Sequence, residues 1–426
     1  MSSSSDHNIS SKLILTAQGK KWLEQFDPID MEAAKLLTRS LTLISHSEFR
    51  RRIETSLLEL GEKLNGVIGL YAVREVETSQ GEEDHGQATP FFQNSEGKGL
   101  KGISAVSYSA DQGSEAIVAN IIRQISKAHP QKYLNHPTKE SLRDNKCRHV
   151  IFVDDFIGSG KRVEDFLNSF RSDRTILSWL SSKHLKVSVL SYSGTEAGIA
   201  RVEKHKINAN VCIFRDCPSV AHLPISGFKK KAIRDLCEEY GRRALKRRKM
   251  FWWGFKDSMS TMVFEHGCPN NTPAILWDQG KNQSTWIGIF PSRTIDNSIS
   301  SVFPEEIRGN DPLETMNDMG QHRLSISGAL LRRGQTGQHV LLILALIAKG
   351  QRRRQTISYA TGLSVQDCER LISRCIKWEF ISADRRITKK GIAELNAARY
   401  VSQQNQTHLA VGSDYYYPLN LRATAI

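Results

Sequence analysis

One stretch constrains the fold more than any other: His149-Val-Ile-Phe-Val-Asp154-Asp155-Phe-Ile-Gly158-Ser159-Gly160-Lys161-Arg162-Val-Glu-Asp-Phe-Leu. A short apolar run meets two carboxylates, a glycine-containing turn and the start of a helix. A strand with no polar alternation is buried on both faces, the condition of a parallel sheet covered by helices. Val67–Val73, Ile103–Ser109, Leu185–Ser191 and Asn210–Phe214 read as further strands. Ser114–Lys127 and Glu196–His205 read as helices between them, and residues 13–65 carry apolar side chains at helical spacing throughout. Strands alternating with helices give an α/β fold, a doubly wound and mostly parallel sheet.

In such a sheet, ligands bind beyond the carboxyl ends of the strands. Asp154 and Asp155 stand at one such end, where both side chains are expected to be exposed. The amides of Gly158, Ser159 and Gly160, with the helix N-terminus behind them, suit an anion. Two carboxylates upstream would repel a phosphate unless they grip sugar hydroxyls or a divalent cation instead. A P-loop is excluded, because G-x-x-x-x-G-K-[ST] needs glycine at 155 and Ser or Thr at 162. Those positions hold Asp155 and Arg162. The plainer alternative, a buried strand ending in a solvated acidic turn, stays open on spacing alone.

The C-terminal part follows another logic. Val340–Ala348 is apolar all round, Gln355–Ala360 a short helix and Val365–Trp378 a second one after a turn at Gly362. On that second helix Val365, Cys368, Ile372 and Cys375 share one face, Gln366, Arg370, Arg374 and Lys377 another. A small hairpin over Phe380–Ser382 and Arg386–Thr388 precedes a helix from Lys389, which completes a winged helix-turn-helix. Gln366, Arg370, Arg374, Lys377, Arg385 and Arg386 are the expected nucleic-acid contacts, a protein interface being the alternative.

Charge supports that expectation. The 426-residue chain has 59 Lys+Arg and 45 Asp+Glu, formally +14. Residues 229–249 carry ten basic and three acidic side chains (+7), residues 328–400 fourteen and five (+9), and the rest 35 and 37 (−2). The whole excess sits in two segments, as polyanion contacts require. The first, with Arg242-Arg243, Lys246–Lys249 and then Phe251-Trp252-Trp253, suits single-stranded nucleic acid. It equally suits a solvated helix face beside core aromatics. The longest apolar run, Val340–Ala348, has nine residues, too short for a membrane span of about 20. Seven cysteines without a C-x-x-C pair indicate reduced thiols and a cytoplasmic setting, and no zinc ribbon. The expected organisation is a disordered lead at 1–12, an α/β domain at 13–310, the winged helix at 328–400 and a tail at 401–426.

Val150–Lys161 resembles the phosphoribosyl pyrophosphate signature of type I phosphoribosyltransferases. Three further stretches resemble the phosphoribosyltransferase-like domain of prokaryotic conflict systems (PRTase-CE). They are Trp22-Leu23…Phe26 with Glu48-Phe49, Gly254-Phe255-Lys-Asp257-Ser258, and Phe264-Glu265-His266-Gly-Cys-Pro269-Asn270-Asn271-Thr272-Pro-Ala-Ile-Leu-Trp277. The resemblance covers roughly residues 15–295. With a C-terminal winged helix the architecture is similar to the effector of retron-type antiphage systems, whose partners are a reverse transcriptase and its branched RNA–DNA (msDNA).

The resemblance implies a function and a site. Asp154 and Asp155 would hold ribose hydroxyls, and Mg²⁺ indirectly. Gly158, Ser159, Gly160, Lys161 and Arg162 would hold the 5-phosphate of phosphoribosyl pyrophosphate as substrate. Phosphoribosyltransferases usually carry Ser or Thr where Gly158 and Arg162 stand; Arg162 replaces one missing hydroxyl by charge. Arg74, in Ala72-Val73-Arg74-Glu75 after the first strand, would meet the pyrophosphate, a surface arginine capping a strand being the alternative. Loop 76–102 would be a lid or simply an insertion. Glu265 and His266 form a conceivable acid–base pair, with a structural histidine as the alternative; Asn270 and Asn271 shape a turn. The expected activity is a glycosyltransferase or donor hydrolase, a toxin in antiviral defence restrained through its winged helix. The alternative is a non-catalytic, nucleotide-sensing, DNA-binding regulator.

Overall fold

The computed structural model describes residues 12–75, 114–244, 246–279, 286–305 and 311–400. Loop 76–102, the expected strand at Ile103–Ser109, the N-terminal lead up to residue 11 and the tail 401–426 lie outside the described residues.

Five strands form an entirely parallel sheet: β2 (Ile68–Ala72), β3 (Tyr133–Asn135), β4 (His149–Ile157), β5 (Lys186–Gly194) and β6 (Asn210–Asp216). Their order is β3-β2-β4-β5-β6, with Gly69 opposite Val150, Ile151 opposite Ser188 and Leu190 opposite Cys212. Side chains alternate between the faces, as the period of a strand requires. Leu70, Ile151, Val153 and Leu190 pack with Phe49, Ile53 and Leu57 of helix His46–Glu62 and with Val118, Ile121 and Ile122 of helix Ser114–Ala128. Tyr71, Val150, Phe152 and Val189 face the other way, onto Val163, Phe166 and Phe170 of helix Lys161–Ser172. At ~1.5–3 kcal/mol for each large side chain fully buried, this double covering outweighs the tenths of a kcal/mol by which residues differ in local propensity. The sheet is therefore doubly wound.

The stretch 13–65 is not continuously helical. Helices Ala17–Leu23, Met31–Arg39 and His46–Glu62 are interrupted by β1 (Thr42–Ile44), which pairs in parallel with β7 (Met262–Phe264) to form a second sheet. Three residues are too few for a period to show, and the partner of β1 lies late in the chain. Strand β3 escaped sequence reading for the same reason. A separate core of Trp22, Phe26, Leu37, Tyr240 and Trp286 carries this second layer, with the Trp22 indole donating to the Ile275 carbonyl at 2.8 Å.

The winged helix forms as its periodicity predicts. Val340–Ile347 is buried throughout helix Gln335–Ala348, and Cys368, Ile372 and Cys375 of helix Val365–Lys377 face it. Gly362 takes the left-handed conformation (φ 72°) that ends helix Arg354–Thr361, and Ser364 caps the next helix by accepting from the Asp367 amide at 3.1 Å. The hairpin closes through Ile381 and Ile387. This core also takes in Met316 and Leu324, upstream of the boundary at 328 that composition suggests.

Helices Arg354–Thr361 and Val365–Lys377 pack on β6, the last strand of the sheet. Arg354 makes a two-pronged ion pair with Asp216 (2.8 and 2.9 Å), and Arg215 donates to the Gly362 carbonyl at 2.5 Å. Among the described residues no helix is long and apolar enough to cross a membrane.

Candidate functional site

The chain leaves β2 toward β3 on one side and returns to β4 on the other, so β2 and β4 diverge at a topological switch point. In open α/β sheets a ligand crevice lies at such a point, beyond the carboxyl ends of the strands. Arg74 follows β2 and Asp154 and Asp155 lie near the end of β4; the two strands are tied by the Val73 amide donating to the Val153 carbonyl at 2.8 Å. The two-residue alternation of β4 slips between Val153 and Phe156, which face the same side of the sheet. The slip turns both carboxylates toward one cation.

That cation is Arg162. From the first turn of its helix it reaches back to the strand end, as helical side chains lean toward the N-terminus. Its Nη2 donates to Asp154 Oδ1 and, at 2.8 Å, to Asp155 Oδ1. The aspartates are 2% and 9% exposed, not open to solvent as their position at a strand end suggested. Likewise, Arg162 spans the carboxylates rather than lying on the glycine turn. Asp155 also receives a hydrogen bond from His266 Nε2 at 3.2 Å. Although burial pushes Asp155 up, the His266 bond and the Arg162 charge hold its carboxyl below the usual range. Burial raises Asp154 well above it. The site thus holds one firmly ionised carboxylate and one that favours its neutral form, and Asp154 Oδ2 is buried without a hydrogen-bond partner.

The turn is built to close tolerances. Gly160, at φ 73°, precedes the helix, and a Cβ there would lie 2.5 Å from the Gly198 carbonyl oxygen. Only glycine satisfies both conditions. Gly158 is explained differently: a Cβ on it would overlap Oδ1 of Asn271. Asn271 is buried, and its Nδ2 donates to Ser258 Oγ at 3.1 Å. Asn271 therefore takes the space in which a serine or threonine at 158 would stand. The Gly158 carbonyl accepts from Thr195 Oγ1 at 2.6 Å, and Thr195 caps helix Glu196–Glu203 through the Gly198 amide at 2.9 Å. Lys161 points outward to Asp165 at 2.7 Å, and Ser159 Oγ accepts from the Lys161 amide at 3.3 Å.

Beside Arg74 the end of β2 is held by a histidine. His136 Nε2 accepts from the Ala72 amide at 2.9 Å, which puts its proton on Nδ1, 2.6 Å from Asn135 Oδ1. Burial, with the Arg74 charge adding, pushes His136 down to about 4, so the ring is neutral near pH 7. Glu115 accepts from the Glu75 amide at 3.2 Å, and its carboxyl is raised by burial.

Glu265 and His266 do not form an acid–base pair. Glu265 accepts from the His46 amide at 2.7 Å and from Ser300 Oγ, while His266 turns to Asp155 and stacks on Phe264, centroids 4.9 Å apart. The Asp155–His266 contact joins the ends of two strands in different sheets, which adjacency in sequence does not report. Among the described residues no group of three or more His, Cys, Asp and Glu is arranged to hold a metal.

In the C-terminal module Gln366, Arg370, Arg374 and Lys377 of the second helix and Arg386 of the wing are exposed, while Arg385 turns inward to Glu369 at 3.2 Å. Arg354 meets the same Glu369 at 3.2 Å, so cations of the wing and of the preceding helix share one carboxylate. The basic segment near residue 240 is different. Lys231, Arg234, Arg242 and Arg243 are paired with Asp235, Asp257 and Glu239, and Trp252 lies in the core with Phe251 and Trp253 packed against it. Those aromatics form no open stacking platform.

Two family models match the chain: PRTase-CE over residues 20–292 and wHTH-PRTase associated over residues 341–423. No curated protein and no solved structure matches it.

Proposed function

This chain belongs to the PRTase-CE family, and from that premise we propose that its switch-point crevice binds a 5-phosphoribosyl donor, phosphoribosyl pyrophosphate, and transfers or hydrolyses its ribosyl group. A phosphoribosyltransferase-like domain joined to a winged-helix module fits an effector of a prokaryotic conflict system. The observation that carries the reading is that Arg74, Asp154, Asp155 and the Gly158–Gly160 turn all lie at or just after the carboxyl ends of the paired strands β2 and β4. Amides of the turn and the helix N-terminus would take the 5-phosphate. Asp154 and Asp155 would accept from ribose hydroxyls, and Arg74 would meet the diphosphate as it departs. Rate enhancement would come from orientation and from stabilising the leaving diphosphate and an oxocarbenium-like ribose. Asp154 and Asp155 are the residues that would hold Mg²⁺, indirectly, and the ion would supply charge neutralisation at the donor's phosphates.

Through its exposed basic face the winged helix would dock on nucleic acid, in a retron-type assembly the branched RNA–DNA held by a reverse transcriptase. That assembly would keep the effector's toxicity in check. Turnover tests the reading: phosphorus NMR of the full chain with phosphoribosyl pyrophosphate and Mg²⁺ should show diphosphate release that Asp154→Asn abolishes. Binding without turnover would favour the second reading, a nucleotide-sensing DNA-binding regulator, which the bridging position of Arg162 supports.

A further inference from the structure

We propose that Arg162 is a displaceable counter-ion that makes this crevice select 5-phosphorylated ribosides over unphosphorylated ones; the inference rests on the reading of the crevice as a phosphoribosyl site. The guanidinium joins two carboxylates whose side chains are 3% and 12% exposed, while its own is 31% exposed. Arg162 has a way out and the aspartates do not. It also springs from the first turn of the helix, beside the amides of Ser159 and Gly160 that would take the phosphate; the Gly158 amide already donates to the Phe156 carbonyl at 3.1 Å. Arg162 bonds both aspartates, so it is the cation that makes an empty acidic site tolerable.

Neutral sugar hydroxyls cannot remove such a bridge. They offer ordinary hydrogen bonds against charge-assisted ones and leave the guanidinium without an anion. A phosphate in the turn can, because it gives the guanidinium a second, doubly acceptor-rich partner within the swing of one side chain. Once Arg162 moves to the phosphate, Asp155 becomes an acceptor for the ribose hydroxyls, and the buried, partnerless Oδ2 of Asp154 a further polar contact beside it. Phosphate and sugar are then coupled ligands: each binds better when the other is present.

The test uses the full chain, calorimetry with Mg²⁺, and three probes: ribose 5-phosphate, ribose, and ribose in saturating inorganic phosphate. Wild type should bind ribose 5-phosphate at least 100-fold more tightly than ribose, and free phosphate should raise ribose affinity fivefold or more. Arg162→Gln should lose that phosphate effect and narrow the preference at least tenfold, while Arg162→Lys should fall between. If wild type binds none of the probes, the crevice reading itself fails. If wild type binds ribose 5-phosphate but free phosphate leaves ribose affinity unchanged, the crevice stands and the exchange is wrong. Full phosphate coupling in Arg162→Gln also overturns it. The wild-type coupling alone decides the matter should the variants fold poorly.

Discussion

Gln355 of the winged helix donates from Nε2 to the Glu196 carboxylate at 2.8 Å, and Glu196 opens the helix whose cap, Thr195, holds the Gly158 carbonyl. Two side chains thus separate the C-terminal module from the anion turn. Replacing Arg354 and Gln355 together by Ala should loosen that turn, seen as faster hydrogen exchange at 158–161. Loss of Arg354 alone leaves the buried Asp216 without its cation and should cost about 3 kcal/mol in chemical denaturation. An unchanged turn in the double variant would mean that the modules do not communicate by this route.

Restraint predicts a cellular phenotype for the same variant. Cutting the chain near Asp311 would bare β6, so the point variant is the cleaner instrument. Expressed with the reverse transcriptase and branched RNA–DNA of the proposed assembly, Arg354→Ala/Gln355→Ala should be more toxic than wild type, and adding Asp154→Asn should relieve the toxicity. Equal growth with and without Asp154 would exclude the crevice as its source.

The two aspartates should respond unequally. Burial favours the neutral form of Asp154, and Asn is its near-isostere, so Asp154→Asn should cost less than about 1 kcal/mol. Asp155→Asn removes the ionised partner of both Arg162 and His266 and should cost ~3–5 kcal/mol. Urea denaturation at pH 7 checks the difference. Equal costs would show that the charge is shared.

Exposed cations of the recognition face carry the nucleic-acid prediction. Replacing Arg370, Arg374 and Lys377 by Ala should flatten the slope of log K against log salt by roughly 2–3, at about 0.7–0.9 for each phosphate no longer neutralised. Filter binding across a salt series measures it. An unaltered slope would assign this face to a protein partner.

His136 supplies a pH dependence. Its folded value of about 4 lies below the unfolded 6.5, so between these values the unfolded chain binds the extra proton. Stability from this group is complete above pH 6.5 and falls as pH drops toward 4, by on the order of 2–3 kcal/mol. His136 sits at φ 45°, which asparagine tolerates, so His136→Asn is the control. Its stability relative to wild type should improve progressively from pH 6.5 to 4.

The parallel sheet, the glycine turn and the winged helix were legible because each rests on local patterning: apolar runs, turn residues and one amphipathic helix. What sequence reading missed lies in tertiary contact. Strand β1 is too short for a period. The Asp155–His266 bond joins two sheets, and Arg162 spans carboxylates seven and eight positions upstream across a turn whose shape the sequence does not state. Gly158 looks like a missing hydroxyl until Asn271 is seen in its place.

One consequence concerns inheritance. Strand β6 ends the sheet, and a free parallel edge of that kind invites pairing with other chains unless charge, proline or a cover blunts it. Here the winged helix covers the carboxyl end of that edge, where Arg215 and Asp216 are buried, so part of the protection against aggregation that one module needs is encoded in the other. A gene broken between them would yield an α/β half that sticks to itself unless both pieces were synthesised together, which ties the solubility of the first module to the presence of the second.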